Sequence, residues 1–326
     1  MSKKLSIAIP SYNRATYLKE CIGSILNQTF QDFDIFVFDD ASEQPVEEEL
    51  KKFQDTRIHF ISSVRNTGVE GNFNRILSFP FESEYLSIFH DDDTMHPKKL
   101  ELQVDFMDAH RDLVFVGSDF NSVSGKNIQT FSNLSENSIK YAVYKNNYEF
   151  ARAEMLWLRC AFDSVIYRVE AIGNARMKPD RFSDFVDIAL LVEISKKGPS
   201  AFIEAPLMNY RVHPGQYSEV AKKEYGQGAI EMLSLFRESL PAILNKQDEK
   251  LFWKYSLNFL FRSYAHTNAG YMEFLEALLQ WRQQGLIRYK DFRHIDARGI
   301  VSVISILFGN KKIIDWARWL RNWFRS

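Results

Sequence analysis

The sequence has 326 residues, 45% of them hydrophobic and 25% charged, which is typical of a soluble globular protein with a substantial core. Its formal net charge of −1 gives no global reason to expect nucleic acid as a partner. Two widely spaced cysteines, Cys21 and Cys160, form neither a disulfide framework nor a zinc pattern and favour a reducing compartment. No apolar run reaches the roughly 20 residues of a spanning helix or the roughly 7–15 of a secretory signal. We therefore predict a cytoplasmic location.

Strand and helix patterns alternate over the first 120 residues. Short apolar runs predict strands at 5–10, 33–38, 57–62, 84–89 and 113–118. Helical spacing of apolar residues appears between them, at 15–28, 45–53, 71–79 and 97–110. Near-continuous apolar strands separated by helices are typical of a mostly parallel sheet with helices on both faces. We therefore predict an α/β fold.

The remainder of the chain changes character twice. Residues 120–160 are rich in Asn and Ser and predict loops over a binding site, whereas patterns of strand and helix return at 163–173, 187–198 and 200–215. After about residue 220 the apolar spacing is helical throughout. We predict two domains, an α/β domain at 1–218 and a helical C-terminal extension at 219–326.

Polar clusters follow three of the predicted strands directly. These are "PSYNR" at 10–14, "DDAS" at 39–42 and "HDDD" at 90–93. In open parallel α/β sheets, ligands bind beyond the carboxyl ends of the strands. The three clusters are therefore predicted to meet at one edge of the sheet and to form a site there.

The three adjacent aspartates at 91–93 have two interpretations. A solvated turn is the simpler one, because adjacent carboxylates repel each other. However, a preceding buried strand would fix the backbone, and Mg²⁺ or Mn²⁺ binds carboxylates together with substrate phosphates. The position favours a divalent cation, Mn²⁺ or Mg²⁺.

The other two clusters also allow a structural interpretation. Asp39 and Asp40 are suited to a turn in which Ser42 caps the next helix. Tyr12 is suited to a half-buried position at the rim of the sheet, and its flat ring also suits stacking on a nucleobase.

Several longer segments occur together in a recognisable order. They are residues 6–42, 65–77, 85–101, 164–173, 187–198 and 206–218, the last reading "PLMNYRVHPGQYS". Together they resemble the inverting, nucleotide-sugar-dependent glycosyltransferases of family 2, which have the GT-A fold. The resemblance covers residues 4 to 218 and leaves out the helical tail.

The resemblance implies a nucleotide site at the strand ends. Its residues would be Pro10, Tyr12, Asp39, Asp40 and Asp92. Tyr12 would stack on the base and Asp40 would accept a hydrogen bond from the imide nitrogen of uracil, while Asp92 would face the ribose.

The resemblance also implies a metal site and a catalytic base. The cation would be held by Asp93, His213 and, less firmly assigned, Asp91, with His90 and His96 as structural or rim residues. The base would be a carboxylate at the start of the helix at 187–198. Counting back from the helix end favours Asp187, and Asp184 stays open because Val186 stands where many relatives have Glu.

The resemblance implies an inverting transferase that moves a hexosyl or N-acetylhexosaminyl group from a UDP-sugar to a glycan or lipid-linked acceptor in bacterial surface polysaccharide synthesis. Two other classes stay open. A sugar-nucleotide nucleotidyltransferase would need a glycine-rich phosphate loop, which "PSYNRATY" lacks. A non-catalytic nucleotide-sugar or glycan-binding module is the other, because the segment around Val186 departs from the family pattern.

The last segment, residues 300–326, ends in "NKKIIDWARWLRNWFRS", where basic residues accompany aromatic and aliphatic ones at helical spacing. One interpretation is an amphipathic helix lying in the interface of an anionic membrane. The other is a helix that packs on the protein's own core or on a partner subunit in a homo-oligomer.

Overall fold

The computed structural model describes residues 2–125, 131, 134, 139–155, 160–213, 225–239, 279–280 and 282–283. The chain divides into two compact units. The first comprises Met1–Phe150, Arg159–Met177 and Leu190–Gln216, and the second comprises Ala151–Leu158, Lys178–Ala189 and Tyr217–Ser326.

Four parallel strands form one half of the sheet in the first unit. They are β1 (Leu5–Ser11), β2 (Phe33–Asp39), β3 (Ile58–Ser62) and β4 (Tyr85–Ile88), arranged β3-β2-β1-β4. The register pairs Ser11 of β1 with Asp39 of β2 and Leu5 with Tyr85 of β4. The carboxyl ends of these strands therefore meet at one edge, as the sequence predicts.

Helices connect these strands and cover the sheet. They are α1 (Ala15–Leu26), α2 (Val46–Lys51), α3 (Gly68–Ser78) and α4 (Lys99–Ala109), each close to its predicted position. On α1 the buried residues Leu18, Cys21, Ile22 and Ile25 follow helical spacing and form one apolar stripe. These side chains join the core of the first unit, and each such burial contributes about 1.5–3 kcal/mol relative to exposure. This packing fixes the strand ends where polar residues follow.

The second half of the sheet is mixed. Its strands are β5 (Thr94–Met95), β6 (Phe115–Ser124), β7 (Tyr141–Tyr144), β8 (Ile166–Arg168) and β9 (Ser200–Val212). Strand β8 is antiparallel to β4 and β6, and β9 is parallel to β6 but antiparallel to β5 and β7. The α/β fold is thus confirmed, but the described sheet is mixed rather than mostly parallel. Parallel pairing of β1 to β4 follows from their helical crossovers, whereas β8 enters in the opposite direction.

The prediction of loops over 120–160 is wrong for much of that segment. Strand β6 continues to Ser124, β7 covers Tyr141–Tyr144 and helix α5 covers Asn147–Met155. The polar end of β6 is a strand because its backbone pairs with β9, with Ser122 opposite Tyr210 and Val123 opposite Arg211. Residues 126–130, 132–133, 135–138 and 156–159 lie outside the described residues. A short helix, α6 (Val169–Ile172), follows β8.

The second unit contains short helical elements. Helix α7 (Pro179–Phe182) leads through a 3-10 turn (Ser183–Phe185) to α8 (Val186–Ser195), of which the residues up to Ala189 belong to this unit. Helix α9 covers Tyr225–Glu238. Arg181 on α7 pairs with Glu231 on α9 at 2.8 Å. A Cβ at Gly228 of α9 would overlap the Phe182 carbonyl oxygen, so glycine permits this close approach.

Within the predicted extension at 219–326, the structure describes α9 and helical residues at 279–280 and 282–283. The segment 300–326 and its predicted amphipathic helix lie outside the described residues. Among the residues described, none of the helices combines the length and the apolar character needed to cross a membrane.

Candidate functional site

The acidic segment Asp91–Asp93 is buried between two strands. It follows β4 and Phe89, and β5 begins immediately after it and pairs with Met208 and Asn209 of β9. The three aspartates are only 3%, 5% and 1% exposed. A solvated turn is therefore excluded, and these carboxylates must find partners within the site.

Arg14 and Ser11 supply partners for the first two carboxylates. Arg14 Nη1 lies 3.3 Å from Asp91 Oδ1 and 2.8 Å from Asp92 Oδ2, and Ser11 Oγ donates to Asp91 Oδ2 at 2.9 Å. The pKa of Asp91 is raised to about 6, first by burial and then by the charge of Asp92, with Arg14 and Ser11 opposing the rise. The end of β1 thus contacts the end of β4 directly, as the sequence predicts.

The end of β9 is bound to the same segment. His213 Nε2 lies 3.0 Å from Asp92 Oδ2, and its ring packs on Tyr17 at 5.0 Å between centroids. Arg211 donates from Nε to the Asp92 carbonyl at 2.7 Å and from its backbone N–H to Asp93 Oδ1 at 2.6 Å. The structure therefore brings the "YRVH" segment onto the acidic segment, and His213 contacts Asp92.

Asp93 faces a different group of side chains. His90 Nδ1 lies 3.9 Å from Asp93 Oδ2 and 3.7 Å from Asp163 Oδ2. Among the described residues, Asp93 Oδ2 and both oxygens of Asp163 are buried and have no hydrogen-bond partner. The pKa of Asp93 is raised well above its usual range, first by burial and then by the charge of Asp163.

His90, Asp93 and Asp163 could together hold a metal ion, because one ligand atom from each lies within 4.8 Å of the others. The residues fit such an ion, since buried carboxylate oxygens without protein donors are the ligands that hard divalent cations bind. The arrangement differs from the set implied by the resemblance. His213 contacts Asp92, Asp91 contacts Ser11 and Arg14, and Asp93 faces His90 and Asp163.

Asp163 has no role in the prediction from sequence, and His90 is interpreted there as a structural or rim residue. The strand register shows that Asp163 lies near His90, because Ser87 of β4 pairs with Ile166 of β8. Continuing that antiparallel register by three residues places Asp163 opposite His90. This register is readable only once the direction of β8 is known.

The loops after β1 and β2 carry the residues implied for the nucleotide. Pro10 is partly buried on β1, and Tyr12 follows it with 43% of its surface exposed. The Asn13 backbone N–H donates to Ser42 Oγ at 2.8 Å, and Asn13 Oδ1 accepts from the Glu43 backbone at 2.8 Å. These bonds hold the two loops together, with the Tyr12 ring open to a ligand.

Asp39 and Asp40 are both buried, with different partners. Asp39 Oδ2 accepts from the Ser42 backbone at 3.0 Å. The Asp40 oxygens accept from the Thr67 backbone at 3.0 and 2.9 Å and from Thr67 Oγ1 at 2.7 Å. Arg75 Nη1 also lies 3.8 Å from Asp40 Oδ1, and together these contacts fix the start of α3.

The two residues considered for the catalytic base lie in the second unit. Asp187 is in the first turn of α8, and its Oδ1 accepts from the Ile188 backbone at 2.7 Å. Asp184 lies in the 3-10 turn Ser183–Phe185. The position of Asp187 near a helix N-terminus favours its ionised form.

Comparisons with known proteins agree with the fold and the resemblance. The family description "Glycosyl transferase family 2" matches residues 6–168, which is half of the chain. The structure of S. aureus TarS 1-349 in complex with UDP-GlcNAc has a TM-score of 0.65 at 16% identity, covering 90% of this chain and 84% of that one. At this identity the likeness shows the fold alone, and the expected GT-A fold is confirmed.

Two curated relatives are similar in sequence. An uncharacterized glycosyltransferase of Methanocaldococcus jannaschii is 39% identical over 118 residues, covering 35% of this chain and 40% of that protein. A GalNAc(5)-diNAcBac-PP-undecaprenol beta-1,3-glucosyltransferase of Campylobacter jejuni is 26% identical over 229 residues, covering 67% and 73%. The chain thus spans well under two thirds of the first relative and about three quarters of the second. With the family match over its strand-end clusters, the chain belongs to glycosyl transferase family 2.

Proposed function

We propose that this protein transfers a sugar from a UDP-sugar to a hydroxyl group of a glycan or lipid-linked acceptor, with inversion at the anomeric carbon. The reaction would serve bacterial surface polysaccharide synthesis in the cytoplasm, at the inner face of the membrane. The observation that carries the proposal is the burial of Asp91–Asp93 at the carboxyl end of β4, where β1 and β9 add charged and polar partners. Burial of three adjacent carboxylates costs free energy unless positive charges or hydrogen-bond donors, such as a bound cation, compensate for it.

The donor nucleotide would lie on the loops after β1 and β2. Tyr12 would stack on the base, because its ring is exposed beside loops that are fixed by the bonds of Asn13. Asp40 would accept the imide N–H of uracil, with Pro10 and Asp39 forming the floor and Asp92 facing the ribose. The UDP-GlcNAc complex of the structural neighbour TarS supports a uridine donor.

A divalent cation, Mn²⁺ or Mg²⁺, would bind at Asp93, and the resemblance adds Asp91 and His213. When bound, the ion would neutralise the negative charge that develops on the leaving diphosphate. Arg14 would hold the acidic segment in place beside the ion, since its guanidinium bridges Asp91 and Asp92.

The acceptor hydroxyl needs a base that removes its proton as it attacks the anomeric carbon. We propose the carboxylate of Asp187 for this role, with Asp184 as the alternative. The partial positive charge of the α8 N-terminus would keep Asp187 ionised and ready to accept the proton.

The test is release of UDP from a panel of UDP- and GDP-sugars, with and without saccharide acceptors. We expect metal-dependent release from one UDP-sugar. The Asp187→Asn variant should lose transfer by at least about a hundredfold while its affinity for UDP stays within about twofold. Asp184→Asn is the matched control at the neighbouring acid.

Three results would contradict this proposal. Normal turnover by Asp187→Asn together with loss in Asp184→Asn would move the base to Asp184. Binding of UDP-sugars without release of UDP in the presence of any acceptor would favour a non-catalytic binding module. Release of pyrophosphate from a nucleoside triphosphate would favour a nucleotidyltransferase.

A further inference from the structure

We propose that the divalent cation is held by Asp93, Asp163 and His90, with Asp163 as a ligand from outside the acidic segment. The proposal rests on the proposed function for the ion's role in transfer. It does not rest on that function for binding itself, which can be measured without any sugar nucleotide.

Asp93 and Asp163 are two buried carboxylates with few hydrogen-bond donors around them within the described ranges. Asp93 and Asp163 are each 1% exposed, and three of their four oxygens have no hydrogen-bond partner in the part of the chain that the structure describes. A buried carboxylate without a hydrogen-bond donor or a counter-charge destabilises the folded state. Two such carboxylates side by side need either a shared proton or a bound cation, and metal titration distinguishes the two.

The nearby protein cations are engaged elsewhere. Arg14 pairs with Asp91 and Asp92. Lys99 is fully buried, and its Nζ donates to Gln103 Oε1 at 2.7 Å and to the Ser164 carbonyl at 3.0 Å. These hydrogen bonds leave the oxygens of Asp93 and Asp163 that face His90 to a bound cation.

The spacing of the ligand atoms suits a small cation. His90 Nδ1 is 3.9 Å from Asp93 Oδ2 and 3.7 Å from Asp163 Oδ2. Bonds of about 2.0–2.2 Å place two ligands of one ion roughly 3–4.4 Å apart, depending on the angle between them. Two carboxylates and one imidazole favour Mn²⁺ over Ca²⁺, which prefers a shell of oxygens only.

The surroundings hold the ligands and give access to them. The His90 side chain is 31% exposed, so an ion can enter past it to the buried acids. Its ring packs on Phe73 at 5.8 Å and Phe162 at 6.5 Å. Gln103 Nε2 also donates to the Ser164 carbonyl at 2.8 Å, which fixes the turn that carries Asp163. Ligands positioned in this way need little reorganisation on binding.

The test is titration of the full-length protein with Mn²⁺ alone, with free Mn²⁺ measured by its EPR signal. We expect one site in the wild type and an affinity at least about tenfold lower in Asp163→Asn, with partial recovery in Asp163→Glu. Asp112→Asn, an exposed aspartate outside the site, is the matched control and should bind as the wild type does. Far-UV circular dichroism checks that each variant is folded.

Three results would overturn the inference. Wild-type affinity in a folded Asp163→Asn would show that Asp163 is not a ligand, and loss of binding in His213→Gln instead would favour the set implied by the resemblance. Absence of Mn²⁺ binding to the wild type would leave Asp93 and Asp163 as a pair sharing one proton. If Asp163→Asn does not fold, the His90→Gln variant tests the inference instead. The His90 side chain is partly exposed, so its replacement should lower the affinity for Mn²⁺ without disturbing the core. The UDP-release panel tests the proposed transfer separately, because it measures turnover and does not identify the ligands of the cation.

Discussion

The pKa of Asp91 indicates how much the burial and mutual repulsion of the aspartates in the acidic segment destabilise the folded protein. That pKa is raised from 3.8 to about 6, first by burial and then by the charge of Asp92. The perturbation is Asp91→Asn, which removes the charge and keeps the shape. The amide oxygen can still accept a hydrogen bond from Ser11 or Arg14.

The magnitude follows from proton linkage. A rise of about 2 pKa units corresponds to roughly 3 kcal/mol, at about 1.4 kcal/mol per unit. Because the pKa of Asp91 is higher in the folded state than in the unfolded state, the folded state binds more protons between about pH 4 and pH 6. The free energy of unfolding therefore decreases as the pH rises through that range. Stability attributable to Asp91 is fully present below about pH 4 and lost above about pH 6.

The assay is urea unfolding followed by far-UV circular dichroism across that pH range, in EDTA so that no cation relieves the repulsion. We expect the stability of Asp91→Asn relative to the wild type to increase by about 3 kcal/mol between about pH 4 and pH 7 and to stay level above that. Exposed Asp112→Asn is the control and should change by less than about 0.5 kcal/mol. A difference that stays flat or falls with pH would refute the reasoning.

Four further predictions concern the nucleotide site, the fold and the tail. Tyr12→Ala should weaken UDP binding by about 1–3 kcal/mol in calorimetry, because stacking on the base is lost, and an unchanged affinity would exclude the ring from the site. Asp40→Asn should lower the preference for UDP over CDP by at least about tenfold, since an amide can donate to cytosine N3, and an unaltered ratio would contradict base reading at Asp40. Gly117→Ala should destabilise the protein by about 1–3 kcal/mol because its Cβ would overlap the Cys160 sulfur, and adding Cys160→Ala should restore most of the loss in urea unfolding. The full chain should float with anionic vesicles and a chain ending at 299 should not, whereas equal flotation would exclude residues 300–326 as the membrane contact.

The sequence predicts those parts of the fold whose signals are local. Helix α1 is recognisable because Leu18, Cys21, Ile22 and Ile25 repeat at helical spacing, and all four are buried. The end of β6 is not recognisable, because its polar residues become a strand only through pairing with β9, more than 80 residues away. The direction of β8 is equally non-local, and for that reason the sheet is more mixed than predicted.

The same limit applies to the site. The meeting of Arg14 with Asp92 is predictable, since both follow strands whose ends share one edge. The choice of partner for each carboxylate is not, because neighbouring side chains in the acidic segment point to different groups. The Arg211 backbone N–H binds Asp93 Oδ1, which leaves Asp93 Oδ2 towards His90 and Asp163, whereas His213 meets Asp92. Only long-range packing decides these contacts.

We propose that the clusters at the ends of β1, β2 and β4 form one site for a sugar nucleotide and a cation. Calorimetric titration of the wild-type protein with UDP, in Mn²⁺ and again in EDTA, tests it most directly. We expect one site per chain whose affinity for UDP falls at least about tenfold when the cation is removed. Failure of UDP to bind in the presence of Mn²⁺ and of Mg²⁺ would contradict it.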